Sequence, residues 1–133
     1  MLNQIYETDF LGFSYGFRPQ RSQHDALDAL AWSITRKRVN WVLDLDIQKF
    51  FDTVDHEWLI RMIQHRVQDK RLIKLIVRWI KVGVADEAGR RQPSERGVPQ
   101  GSVISPLLAN LYLHYVFDVW SHQWRKTKAK GDV

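Results

Sequence analysis

The spacing of apolar positions changes several times along the chain, and each change predicts an element. After Ser22, the residues Leu27, Leu30, Ala31 and Ile34 recur at helical spacing. Ser22 stands where an N-cap belongs, and Asp25 falls in the positive first turn. The pattern closes near Arg36, Lys37 and Arg38, cations that suit the negative end of a helix. In "WVLDLD" (41–46) the period drops to two, which predicts a strand. Trp41, Leu43 and Leu45 take one face; Val42, Asp44 and Asp46 take the other.

Helical spacing returns after Asp55, a second capping residue, with Leu59, Met62, Ile63 and Val67 as the apolar stripe. A third helix is expected over about residues 69–82, carrying Leu72, Ile73, Leu75, Ile76, Trp79 and Ile80. Arg71, Lys74, Arg78 and Lys81 lie largely opposite, where a solvated face and a nucleic-acid backbone contact are both open readings. Residues 83–97 are polar and bounded by glycine, a pattern that predicts a hairpin around Gly89. Ser105 as cap and Pro106 at the first helical position then announce a long apolar helix to about Trp124. "FLGFSYGFRPQRS" (10–22) reads as an irregular loop, and "RKTKAKGDV" closes the chain without an apolar pattern. One central strand cannot make a stable sheet alone, so the pattern reads as part of a larger domain.

Composition narrows the function classes. The 133 residues are 44% hydrophobic and include six Trp, four Tyr and six Phe, enough for a core. A formal net charge of +5 suits a polyanionic partner, nucleic acid above all. With no cysteine, disulfides, thiolate zinc sites and cysteine nucleophiles are excluded. "HEWLI" at His56 begins like a zinc-protease motif but has Ile60 in place of the second histidine. "GSVIS" lacks the G-x-S-x-G elbow, and there is no phosphate-binding G-x-x-x-x-G-K-[ST] loop. No run reaches the roughly 18 apolar residues of a membrane span, and the N-terminus is no signal peptide. The default expectation is a soluble intracellular protein not associated with a membrane.

The acidic stretch carries the candidate chemistry. On a strand, Asp44 and Asp46 would stand about 6.5–7 Å apart on one face. At an effective dielectric near 20 they repel by about 2.4 kcal/mol, so water, a cation side chain or a metal ion must relieve them. A solvated strand end is the plainer reading of a bare D-x-D. A hard oxygen ligand at a strand end also suits Mg²⁺, which takes one or two carboxylates together with substrate phosphates. Asp52 and Asp55, near a turn and a helix start, read as local structure.

Three blocks settle the choice: "SYGFRPQRSQHDAL" (14–27), "LDLDIQKFFDTVDH" (43–56) and "GVPQGSVISPLLANLYLH" (97–114). Together, in this order and spacing, they resemble successive blocks of reverse transcriptases, closest to the bacterial group II intron-encoded, retron-type and maturase group. The resemblance implies an α+β fold, a partial fingers–palm of a right-hand polymerase, mostly helical with a few antiparallel palm strands. Residues 1–40 would be the fingers-side segment and residues 41–133 part of the palm, with thumb and maturase domain absent. The implied activity is RNA-templated DNA synthesis by two-metal nucleotidyl transfer.

Residue by residue, Asp46 matches the catalytic metal-binding aspartate, and Ile47 would lend its backbone carbonyl to the same Mg²⁺. Asp44 is the lesser candidate. Phe51 matches the side chain that excludes a ribose 2′-hydroxyl. Gln100 and Gly101, with Gly97 and Pro99, match the loop bordering the deoxynucleotide and template. Arg18 and Arg21 are the candidate nucleic-acid contacts of the fingers block "GFRP" and its flank, and Pro99 joins them. The implied partners are an RNA template, with group II intron RNA among the candidates, a DNA primer and deoxynucleoside triphosphates. The family's Tyr-Ala-Asp-Asp hairpin is not present before Val133. The 133-residue chain is therefore expected to be inactive alone, and a non-catalytic RNA-binding remnant of a degraded mobile element is the alternative reading.

Overall fold

The computed structural model describes residues 2–37, 39–81, 96–98 and 103–130. Its helices are α1 (Leu2–Tyr6), α2 (Gln23–Arg36), α3 (Phe50–Thr53), α4 (His56–Arg66), α5 (Lys70–Lys81) and α6 (Ser105–Leu113). A π-helical segment (His114–Asp118) and α7 (Val119–Thr127) follow. The chain divides into two compact units, one made of Met1–Asp46 with Leu113–Val133, the other of Ile47–Tyr112.

In the first unit, α2 starts as its sequence dictates. Asp25 N–H donates to the Ser22 hydroxyl oxygen, and the Ser22 backbone N–H donates to the Asp25 carboxylate, a reciprocal capping box. The stripe that drives this helix is not buried: Leu27 is 59% exposed, and Leu30 and Ile34 are exposed as well. The core of the unit lies elsewhere, at Tyr6 and Phe10. The His114 ring meets the Phe10 ring edge-on, with centroids 5.7 Å apart. The π-helical segment, which carries an extra residue in its turn, brings His114 and Asp118 into the same buried region.

The expected palm strands are not seen among the described residues. Residues 41–46 form no element, with Trp41 92% exposed, and no strand occurs among the described residues. The alternation is genuine, but a strand is stable only when a neighbour takes its backbone N–H and C=O groups. Among the described residues the single β-type pairing is an isolated antiparallel bridge between Asp55 and Arg96. The hairpin expected around Gly89 lies outside the described residues.

The second unit is a helical core. Asp55 caps α4 by accepting the Trp58 N–H at 3.0 Å. Asp69 does the same for α5, its carboxylate accepting the Arg71 N–H at 2.8 Å. α4 and α5 pack on one another. Leu59, Ile63 and Val67 are buried on the first segment, Ile76 and Ile80 on the second. Each such side chain contributes about 1.5–3 kcal/mol on burial. α6 adds Leu108, Ala109 and Leu111. The buried positions of α4 and α5 fall on the stripes that the apolar spacing marks.

Candidate functional site

The site is built around the turn that follows Asp46. Lys49 adopts a left-handed conformation (φ 52°) and starts α3, a single turn carrying Phe50 and Phe51. Positive φ is uncommon in a side-chain-bearing residue and is held only where the surroundings over-determine it. Here the Asp52 and Thr53 N–H groups both donate to the Lys49 carbonyl, at 3.0 and 3.2 Å. The Thr53 hydroxyl donates to the same oxygen at 3.1 Å. Phe51 is half-buried, its ring edge-on to Phe50 at 5.4 Å. Phe50 is in turn edge-on to Tyr112 at 6.2 Å. The bulky candidate is thus braced by a row of aromatic rings.

The segment 96–98 docks onto this turn. Val98 N–H donates to the Phe51 carbonyl at 2.6 Å, and Gly97 N–H donates to the Val54 carbonyl at 2.8 Å. The buried His56 ring closes the contact, Nε2 lying 2.5 Å from the Gly97 carbonyl oxygen. A carbonyl only accepts, so Nε2 carries the proton, and buried Nδ1 has no partner among the described residues. Gly97 itself has φ +88°, and a Cβ there would sit 2.9 Å from the Phe51 carbonyl oxygen. Glycine is required by conformation and by space together. The close approach that glycine permits at this position is to the chain's own backbone. Pro99, Gln100 and Gly101, which follow immediately, lie outside the described residues.

Asp44 and Asp46 are both exposed, as is Ile47. Among the described residues no group of three His, Cys, Asp or Glu is placed to hold a metal ion. Asp46 and the Ile47 carbonyl are adjacent hard oxygen donors on the chain, right in kind for Mg²⁺ and insufficient in number.

The fingers-side loop treats its two arginines differently. Arg18 is buried, and its guanidinium donates to the Glu7 carboxylate (Nε 3.0 Å, Nη2 2.7 Å). Nη1 donates to the carbonyls of Leu11 (2.7 Å) and Ser14 (2.6 Å). The side chain also lies over the Phe10 ring, 5.4 Å from its centroid. In this placement Arg18 is a brace of its own loop. Arg21 is only part-exposed and bonds the Gly12 carbonyl at 2.6 Å, stacking over Tyr15 at 5.0 Å. The braced loop presents Phe17, a member of the "GFRP" block, at φ 51° and 76% exposed. Its positive φ is the feature that the sequence did not show.

A family profile described as reverse transcriptase (RNA-dependent DNA polymerase) matches residues 1–130. Protein YkfC of Escherichia coli (strain K12) is 41% identical over 135 residues, covering 98% of this chain and 35% of its own length. Group II intron-encoded protein LtrA of Lactococcus lactis subsp. cremoris is 40% identical over 114 residues, 86% of this chain and 18% of that protein. Nuclear intron maturase 4, mitochondrial, of Arabidopsis thaliana is 26% identical over 133 residues, 100% of this chain and 16% of that protein. The chain thus spans about a third or less of the length of these relatives. It belongs to the reverse transcriptase (RNA-dependent DNA polymerase) family.

Proposed function

We propose that this chain is the part of a group II intron-type reverse transcriptase that supplies the first metal-binding carboxylate and the sugar-selecting wall of the nucleotide site. The observation that carries the reading is the docking of Gly97 and Val98 onto the Phe51–His56 turn. It holds Gly97 and Val98, which lead into the candidate nucleotide loop, against the backbone of the candidate sugar gate. Phe51 would then meet the 2′ position of an incoming nucleotide, excluding a ribose hydroxyl by bulk.

Asp46 and the Ile47 carbonyl would hold Mg²⁺, with substrate phosphates and the family's acidic Tyr-Ala-Asp-Asp hairpin completing its shell. Bound Mg²⁺ ions would supply activation of the attacking hydroxyl and neutralisation of charge on the leaving pyrophosphate, as in two-metal nucleotidyl transfer. The residues of this chain do the rest of the positioning. Lys49 sets the turn, the aromatic row holds Phe51, and Gly97 with His56 fixes the loop start. Gln100 would offer an amide to the base or sugar, and Gly101 a close backbone approach. Arg21 would contact phosphate at the fingers side, with Pro99 bordering the template. Arg18 would support that contact from within the loop.

The test is a segment replacement. The 114-residue stretch of the 40%-identical Lactococcus lactis relative that matches this chain is replaced by the matching residues of this chain. The chimera is assayed for deoxynucleotide addition to a DNA primer on an RNA template with Mg²⁺. Templated addition by a folded chimera supports the reading. A folded chimera that binds primer–template and adds nothing contradicts it.

A further inference from the structure

α5 carries five cations on one side. At 100° per residue, Lys70, Arg71, Lys74, Arg78 and Lys81 fall within about 100° of arc and span roughly 16 Å of helix. All five are exposed, and among the described residues none forms a salt bridge with a carboxylate. Five unneutralised like charges so close together repel one another, a cost that a polyanion removes. Leu75 (41% exposed) and Trp79 (43% exposed) flank the cations along one border.

A basic amphipathic helix with a flanking Trp is also the pattern of a membrane-surface helix, which inserts its apolar face. That face is not available here. Ile76 and Ile80 are each 1% exposed and packed in the core with α4. What remains for a partner is a row of fixed cations with one aromatic border, which matches a phosphodiester chain with unstacked bases.

We propose that the outer face of α5 is a second nucleic-acid contact, a track for the backbone of single-stranded RNA, distinct from the nucleotide site. The inference rests on the reading of the chain as an RNA-handling polymerase segment. The face carries no sequence information: its ligand is the phosphate charge, and Trp79 offers a stacking surface to any base.

The experiment measures binding of the full 133-residue chain to a fluorescein-labelled, unstructured RNA oligonucleotide by anisotropy across a salt series. The variant Lys74→Gln/Arg78→Gln/Lys81→Gln is compared with Lys126→Gln/Lys128→Gln/Lys130→Gln, which removes the same charge from the C-terminal basic run. Circular dichroism checks that helix content is kept in each. At about 0.7 per phosphate on a single strand, the α5 variant is expected to lower the log–log salt slope by about 2. The C-terminal variant is expected to change it by less than half as much. Trp79→Tyr is expected to keep the wild-type slope. Equal losses from the two triple variants overturn the proposal, because net charge alone would then account for binding. Binding of the wild type to phosphatidylserine vesicles in preference to RNA overturns it as well. A chimera that polymerises while the α5 variant leaves the RNA salt slope unchanged overturns the track and leaves the polymerase reading standing. An inactive chimera with an α5-dependent slope does the reverse.

Discussion

The Nε2 atom of His56 lies 2.5 Å from the carbonyl oxygen of Gly97, forty-one positions along the chain. This contact joins the turn after Asp46 to the loop start at 97–98, and it converts two separate sequence blocks into one structural element. Its weak point is the glycine. In Gly97→Ala, a Cβ would stand 2.9 Å from the Phe51 carbonyl oxygen in a backbone conformation that disfavours side chains. The expected cost is about 1–3 kcal/mol, read as a lower midpoint in urea unfolding. An unchanged midpoint would mean that the clamp does not hold in solution.

Phe51 is expected to act on sugar choice. In the chimera, Phe51→Ala should raise incorporation of ribonucleotides relative to deoxynucleotides by about tenfold or more, while deoxynucleotide addition is kept. A difference of one well-placed contact of about 1.4 kcal/mol is enough for that factor. Competition between the two substrates on one primer–template measures it. Unaltered discrimination with normal activity would assign Phe51 to packing alone, a role that its contact with Phe50 already provides.

Arg18 is expected to matter for stability before it matters for binding. Its guanidinium satisfies Glu7 and two carbonyls from inside the loop. A lysine has one charged nitrogen and cannot replace that planar set. Arg18→Ala should cost about 3 kcal/mol or more, since it leaves Glu7 and the Leu11 and Ser14 carbonyls unpaired. Arg18→Lys should recover only part of that loss. Thermal unfolding of the three proteins decides the order.

The buried pair His114 and Asp118 should give the chain a measurable pH dependence. Burial lowers the His114 pKa below 6.5, with Asp118 and Asp9 pulling it back up and Arg18 pushing it further down. The unfolded chain therefore takes up a proton near pH 6.5 that the folded chain refuses, and stability falls as pH drops below that value. Burial raises the Asp118 pKa above 3.8, against the opposing effects of His114 and Arg18. Its folded-state penalty is present at neutral pH and fades as pH falls through the raised value. Urea unfolding of His114→Gln should lack the loss that begins near pH 6.5. Asp118→Asn should be more stable than the wild type at pH 7, with the gain vanishing toward pH 3.8.

What the sequence made legible was local. Ser22 and Asp55 cap their helices because capping involves only the next three residues, while Ser105, expected as a cap, is the first residue of α6. The 3.6-residue spacing marks Leu59, Ile63, Ile76 and Ile80, which are buried, as it marks Leu27, Leu30 and Ile34 on α2, which are not. The features that escaped depend on distant partners. Residues 41–46 alternate like a strand, yet pairing needs a neighbour that no local pattern guarantees. Arg18 reads as a surface cation until Glu7, eleven positions upstream, is seen to hold it. The π-helical turn at His114–Asp118 changes the register of an apolar run without altering its composition. The candidates at 46, 51 and 97 come from the three blocks. The contact between 51–56 and 97–98 does not.

The most direct test of the account is Asp46→Asn in the chimera. Asparagine keeps the size of the side chain and removes the charged ligand. Loss of a metal-binding carboxylate should lower templated deoxynucleotide addition by about a thousandfold, or about 4 kcal/mol of transition-state stabilisation. Primer–template binding should stay within about threefold of the parent, a difference under 1 kcal/mol. Templated synthesis by Asp46→Asn at the parental rate would contradict the assignment of this chain's carboxylate to the metal site.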